Sequence, residues 1–226
     1  MKRREGRYQL NNAGSAIVTV LVVVAFITIL STVMLYISGA NYQMKVTDYR
    51  TKESFYQAET PVEELRAQLV KDVQTAFAKA YTQAMSEYAG MSEAGMREAN
   101  YRQLFYKAFE DIWLGGSTPR CPINAETGQR DWEAGIRNVV QAASSGSWTV
   151  KAGSSPLDIS QLNTDGRIIL CNIEFVYDSE DHFVSVIKTD FCITIPDIDW
   201  GTSFSGSTAS QMDFSECVDY MNWTKN

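Results

Sequence analysis

A single histidine, His182, stands in the whole chain of 226 residues. Zinc chemistry draws on several imidazoles or on paired cysteines, and a serine hydrolase draws on a histidine base, so both classes are disfavoured. Cations are scarce too, with Lys and Arg at 20 against Asp and Glu at 27 and a net charge of -7. No basic stripe is available to neutralise phosphates, which counts against a nucleic-acid partner. Neither a glycine-rich phosphate loop nor a nucleophile elbow occurs, so no enzymatic role and no catalytic residue are expected. The most informative absence is local: between Arg7 and Lys45 there is no Asp, Glu, Lys, Arg or His.

The charge-free gap holds the run Ala16 to Ile37, with four Ile, six Val, three Leu and one Phe, broken only by Thr19, Thr28, Ser31 and Thr32 among hydroxyl residues. As a helix rising ~1.5 Å per residue it spans roughly 33 Å, enough for a hydrocarbon core of ~30 Å. Its large apolar residues favour insertion by roughly 4 to 8 kcal/mol in sum. Lys2, Arg3, Arg4 and Arg7 precede it against Glu5 alone. The positive-inside rule therefore keeps the N-terminus cytoplasmic and exports the chain beyond about Ser38. A cleaved signal peptide ending at Ser38-Gly39-Ala40 is one alternative, but signal h-regions run about 7 to 15 residues and this one is longer. A plain single-pass anchor is another.

How the segment begins and ends points to a third reading. A basic leader closes in Asn12-Ala13-Gly14, and Ser15-Ala16-Ile17-Val18-Thr19 follows at once. After a polar stretch without Gly or Pro comes Phe55-Tyr56-Gln57-Ala58-Glu59. This combination, over about residues 1 to 65, resembles the class III leader and N-terminal helix of type IV pilins and pseudopilins, most closely the PilX-like minor pilins. The resemblance implies cleavage by a prepilin peptidase after Gly14, with Ser15 as the new N-terminus. It also implies partners: other pilin subunits along the helix, the assembly machinery, and the membrane that holds the precursor. Most pilins have Phe where this chain has Ser15, and Glu where it has Thr19. In the family that glutamate pairs with the N-terminal amine of the neighbouring subunit. The few members lacking it, K-type pseudopilins among them, stand at the fibre tip, so Thr19 implies a position there. A membrane tolerates a buried carboxylate only beside a neutralising partner, which a subunit with no successor does not need.

Past the anchor, the residue pattern predicts helices first and sheet last, an α+β fold. Thr60, Pro61 and Glu63 fit a cap, first-turn proline and capping-box acid, so either a kink in the helix or the start of a new one is expected there. Val62, Leu65, Leu69, Val73, Phe77, Ala80 and Ala84 then recur at three and four residues as a core-facing stripe. A second helix is expected after Ser92, carrying Tyr101, Phe105, Ala108, Phe109, Ile112 and Trp113 and stopping at Gly115-Gly116. A third follows Asp131, with Trp132, Ile136, Val139, Val140 and Ala143 on its stripe. From Ser147 the period changes to two. Trp148 to Val150 is a short strand, and a longer hairpin follows in which Ile169, Cys171, Ile173, Phe175 and Tyr177 share the buried face with Phe183, Ile187, Phe191, Ile193 and Ile195. Setting both odd-numbered sets inward demands a turn of three or five residues around Asp178 to His182. Pro196 ends the second strand, Gly201 to Ser210 reads as a loop, and Asp213 to Trp223 as a terminal helical turn or strand.

Cys121, Cys171, Cys192 and Cys217 all fall on the exported side, an even number suited to a disulfide-permissive compartment. Their spacing is not that of a zinc site. The face assignment puts Cys171 inward and Cys192 outward, which counts against bridging those two and favours Cys121–Cys171 with Cys192–Cys217, free buried thiols being the other reading. Resemblance to pilins, which staple the C-terminal segment to the sheet, also implies Cys192–Cys217. Asp178, Glu180, Asp181, Asp197 and Asp199 are oxygen donors of the kind calcium takes, without an EF-hand loop, and solvated acidic turns are the commoner explanation. His182 reads as a solvated turn residue.

The domain expectation is a leader at 1–14, a transmembrane half-helix at 15–38, an exported helical extension at 39–60 and an extracytoplasmic globular domain at 61–226. The functional expectation is a minor pilin or pseudopilin, a structural and assembly subunit of a type IV pilus or related secretion filament. Such a subunit is a precursor in the inner or cytoplasmic membrane and then part of an extracellular fibre. The competing class is a permanently anchored extracellular binding or sensor domain, and a hydrolase secreted after a cut at Ala40 is more remote.

Overall fold

The computed structural model describes residues 13–87, 90, 93–115, 119–141, 147–179, 184–198 and 212–225. Helix α1, Ala13–Glu87, is 75 residues long. The chain divides into two compact units, Met1–Thr51 and Lys52–Asn226, and α1 contributes to both.

In the second unit the expected stripe of α1 is buried, with Val62, Leu65, Leu69, Val73, Phe77, Ala80 and Ala84 all facing the core, and Ala58 and Ala76 join it. No new helix starts at Thr60-Pro61, because α1 runs through with Pro61 inside it. A proline in a helix interior forfeits one backbone bond and costs ~3 kcal/mol. Burial of Ala58, Val62 and Leu65 on both sides of Pro61 offsets that cost. Thr60 is no cap either, since its hydroxyl donates back to the Tyr56 carbonyl at 3.1 Å. The globular unit therefore begins before residue 61. Ser54 is already buried and shares a 2.6 Å hydrogen bond with Ser185 of the sheet.

Helix α2, Ala94–Trp113, buries Tyr101, Phe105, Ala108, Phe109 and Trp113, as the stripe predicts. Glu93 stands at its N-cap, and the expected cap Ser92 lies outside the described residues, as do Gly116 and Ala143. Helix α3, Trp132–Val139, starts as read: the Asp131 carboxylate accepts the Ala134 N–H at 2.9 Å, satisfying an orphan donor of the first turn.

The sheet is antiparallel throughout. Strands β1, Trp148–Lys151, β3, Arg167–Asp178, β4, Val184–Thr194, and β5, Val218–Lys225, lie in the order β1-β3-β4-β5, and the two-residue β2, Leu157–Asp158, also pairs with β3. A one-turn helix α4, Leu162–Asp165, ends at Gly166 in the left-handed region with φ 64° and leads into β3. Neither β2 nor α4 is expected from the sequence pattern, being too short to show a period. The segment after Asp213 is both of the alternatives at once, a 3-10 turn Phe214–Cys217 followed by β5.

Asp178 pairs with Val184, which fixes a five-residue connection, one of the two lengths expected. The facing of β3 needs correction in its first half. Ile168 and Leu170 pair with Ile193 and Phe191 and join the core, whereas Ile169 pairs with Cys192 on the other face. Beyond the irregularity between Leu170 and Ile173, the inward set returns to Ile173 and Phe175 as expected. The cause is a bulge at Cys171-Asn172, where Asn172 takes φ 56° and inserts one extra residue, inverting the alternation. One contiguous core joins α1, α2, α3 and the inner sheet face. The architecture is α+β, with a long N-terminal helix, further helices and a C-terminal antiparallel sheet.

Candidate functional site

The distinctive surface of this chain is the first part of α1. It is long and apolar enough to cross a membrane, and its apolar window is wholly unburied within the chain. Ile17, Leu21, Phe26, Ile29 and Leu35 are all exposed. So continuous an apolar surface far exceeds what water-facing proteins display. Two hydroxyls inside the run need no outside partner: Thr28 donates to the Val24 carbonyl and Thr32 to the Thr28 carbonyl, each at 2.8 Å. Such back-bonding is what an apolar solvent demands of every polar group. Gly14 and Ser15 stand in the first turn of α1, while residues 1–12 lie outside the described residues. Thr19 is one turn further, on the exposed apolar helix.

The motif at 55–59 divides between core and surface. Phe55 packs half-buried against the core and Ala58 is fully buried, whereas Tyr56 is 65% exposed, its ring 5.9 Å from that of Phe55. Glu59 is half-buried and acts with Glu63 to raise the pKa of the Tyr220 hydroxyl, after the larger effect of burial. Within the globular unit this motif joins helix to sheet.

Two arginines tie loops and strands to α1. Arg66 donates to the carbonyls of Val218 at 3.0 Å and Ser215 at 3.2 Å, and lies over the Tyr220 ring at 5.5 Å. Arg120 pairs with the buried Asp72 and covers the Trp113 ring at 5.3 Å, with Trp132 stacked on Trp113 at 5.6 Å. Burial pushes the Asp72 carboxyl above its ordinary range, against the opposing pull of Arg120 and Gln68. On the outer sheet face Asp190 accepts from the Asn172 N–H and from the Asn222 amide, both at 2.6 Å. Both asparagines have positive φ, 56° and 51°. Asp190 thus pins one bulge on each neighbouring strand, and a shallow groove lined by Glu174, Lys188 and Thr224 adjoins it. None of these anchors is legible from spacing, because each partner is far away in sequence.

The four cysteines are free thiols, so the expected Cys121–Cys171 and Cys192–Cys217 bridges are not formed in this structure. The bulge at Cys171-Asn172 takes Cys171 out of the core-facing set, whereas Cys192 keeps its expected outward place. Cys192 lies opposite Ile169 on the outer face, whereas Cys217 packs against the core, close enough to Tyr101 to act on its hydroxyl. Cys121 fits against Gly135 of α3. Burial pushes the Cys121 thiol up to about 12 and also raises those of Cys171 and Cys217, which keeps them protonated and poorly reactive. Among the described residues no three His, Cys, Asp or Glu side chains gather as a metal-ligand group. Of the calcium candidates, Glu180, Asp181 and Asp199 lie outside the described residues, as does His182. No family model, no curated protein and no solved structure matches this chain.

Proposed function

We propose that this chain is a minor pilin or pseudopilin, a structural and assembly subunit of a type IV pilus or related secretion filament, held by residues 16–37 in the membrane until it is extracted. The observation that carries this reading is the exposed, charge-free start of α1, on a helix whose later turns form part of the core of an α+β unit. An apolar helix of this kind is soluble only when lipid or other helices surround it, and a fibre built on packed N-terminal helices supplies the second environment after the first. The leader ending at Gly14 and the segment Phe55 to Glu59 support the same assignment.

Thr19 supports a place at or near the tip and a part in starting assembly. In a fibre interior each subunit's N-terminal amine needs a negative partner, since an unpaired buried charge costs several kcal/mol, and a threonine hydroxyl is not one. Immunogold labelling of sheared fibres with an antibody to residues 147–226 tests the position. Label at one fibre end, with few fibres when the gene is deleted, is the expected result. Label along the whole shaft would defeat the tip assignment, and label confined to cell membranes would favour a permanently anchored binding or sensor domain.

A further inference from the structure

A shallow groove on one side of α1, lined by Met34, Ile37, Ser38, Asn41, Tyr42 and Lys45, lies wholly within the first compact unit. Its chemistry changes along the helix. Met34 and Ile37 belong to the last turn of the run, Ser38, Asn41 and Tyr42 follow with hydroxyl and amide donors, and Lys45 closes the far end. Lys45 is also the first charged residue after Arg7, and therefore the first cation on the exported side of the run. Helical side chains lean toward the N-terminus, so Tyr42 and Lys45 reach back over Ser38 and Asn41 rather than away from them.

Depth supplies the second argument. If Ile37 marks the end of the hydrocarbon core, Ser38 to Tyr42 occupy about 8 Å of helix at ~1.5 Å per residue. A headgroup layer is about 5 to 8 Å thick on each side. The donors of the groove thus fall at phosphate level, with an amphipathic tyrosine where aromatic belts form and a lysine able to reach inward from just beyond. Resting on the reading of residues 16–37 as a membrane span, we propose that this groove binds the phosphate headgroup of an anionic phospholipid in the exported leaflet. Lys45 contacts the phosphate, Ser38, Asn41 and Tyr42 donate to it, and Met34 with Ile37 lie along the start of the acyl chains. Such a contact fixes the height of the helix in the membrane before extraction.

The test is native mass spectrometry of the full chain released from nanodiscs of phosphatidylcholine alone or mixed with phosphatidylglycerol, with inorganic phosphate added in detergent as a separate arm. Selective retention of phosphatidylglycerol is expected, falling about fivefold in Lys45→Gln, the effect of one cation near an anionic surface. Lys107→Gln, on the exposed side of α2 in the globular unit, should leave retention unchanged. Equal retention by the wild type and Lys45→Gln would overturn the proposal, and phosphate adducts without lipid selectivity would reduce the groove to a simple anion site. A chain that enters nanodiscs without selecting a lipid defeats this inference alone. One that fails to enter them defeats the membrane reading as well.

Discussion

Arg66 and Val218 lie 152 residues apart in sequence, and the Arg66 Nε donates to the Val218 carbonyl at 3.0 Å. A second donation, from Nη2 to the Ser215 carbonyl at 3.2 Å, and the Tyr220 ring beneath the guanidinium make the arginine a clasp between α1 and the C-terminal strand. Arg66→Ala should cost about 1 to 3 kcal/mol, the range for hydrogen bonds from a charged donor. Urea denaturation measures the loss, and hydrogen exchange should show it concentrated in the amides of β5. Arg66→Lys should recover only part, since an ammonium cannot hold two carbonyls in a planar fork.

Gly135 and Cys121 test the packing of the segment before α3. A Cβ at Gly135 would run into the Cys121 Sγ, closer than any real contact allows. Gly135→Ala should destabilise by about 1 to 3 kcal/mol through overpacking. Adding Cys121→Ala, which removes the sulfur, should restore part of the loss, and a double-mutant cycle by thermal unfolding measures that coupling. Strict additivity would mean that the two do not touch.

What the sequence discloses and what it hides follow from range. The stripes of α1 and α2, the start of α3 and the odd-length hairpin connection are local patterns found where periodicity places them, whereas α3 ends at Val139 and leaves Val140 in extended backbone. Pro61 misleads because a local break signal is overridden by burial of Ala58, Val62 and Leu65 around it. Ile169 is assigned to the wrong face because one bulge residue, Asn172, inverts the alternation, and an isolated asparagine in a strand gives no warning of it. The inward placement of Cys171 inherits that error. Arg66, Asp72, Arg120 and Asp190 act through partners that only the fold brings near. In the candidate site the charge-free run at 16–37 is legible at once, whereas the groove from Met34 to Lys45 emerges only with the helix face in view.

Asp190 should matter more than an exposed carboxylate usually does. Asp190→Ala removes the acceptor of both the Asn172 N–H and the Asn222 amide, at an expected cost of about 1 to 2 kcal/mol. Asn172→Gly, which accepts φ 56° without strain, should be tolerated, while the β-branched Asn172→Val should lose about 1 to 3 kcal/mol. Chemical denaturation of the three variants separates the bulge from general loss of polarity.

Two carboxylates give opposite pH dependences. Hydrogen bonds from Lys188 and Lys151 hold Glu174 below its ordinary 4.5, so its contribution is present above that value and is lost as pH falls through the lower folded pKa. Asp72, raised above 3.8 chiefly by burial, contributes most below 3.8 and loses its contribution as pH rises through its folded pKa. Glu174→Gln should therefore flatten the acid limb of the stability curve, and Asp72→Asn the limb above 3.8. Melting temperatures across pH check both, and a Glu174→Gln curve parallel to wild type would contradict the ion-pair account.

The most direct measurement is the N-terminal residue of the protein purified from its own host, read by mass spectrometry of the intact chain and its first peptide. The pilin account predicts Ser15, with the leader through Gly14 removed and Gly14→Val leaving the precursor uncut. Met1 retained would contradict it in favour of a permanent anchor, and Asn41 would contradict it in favour of a secreted domain.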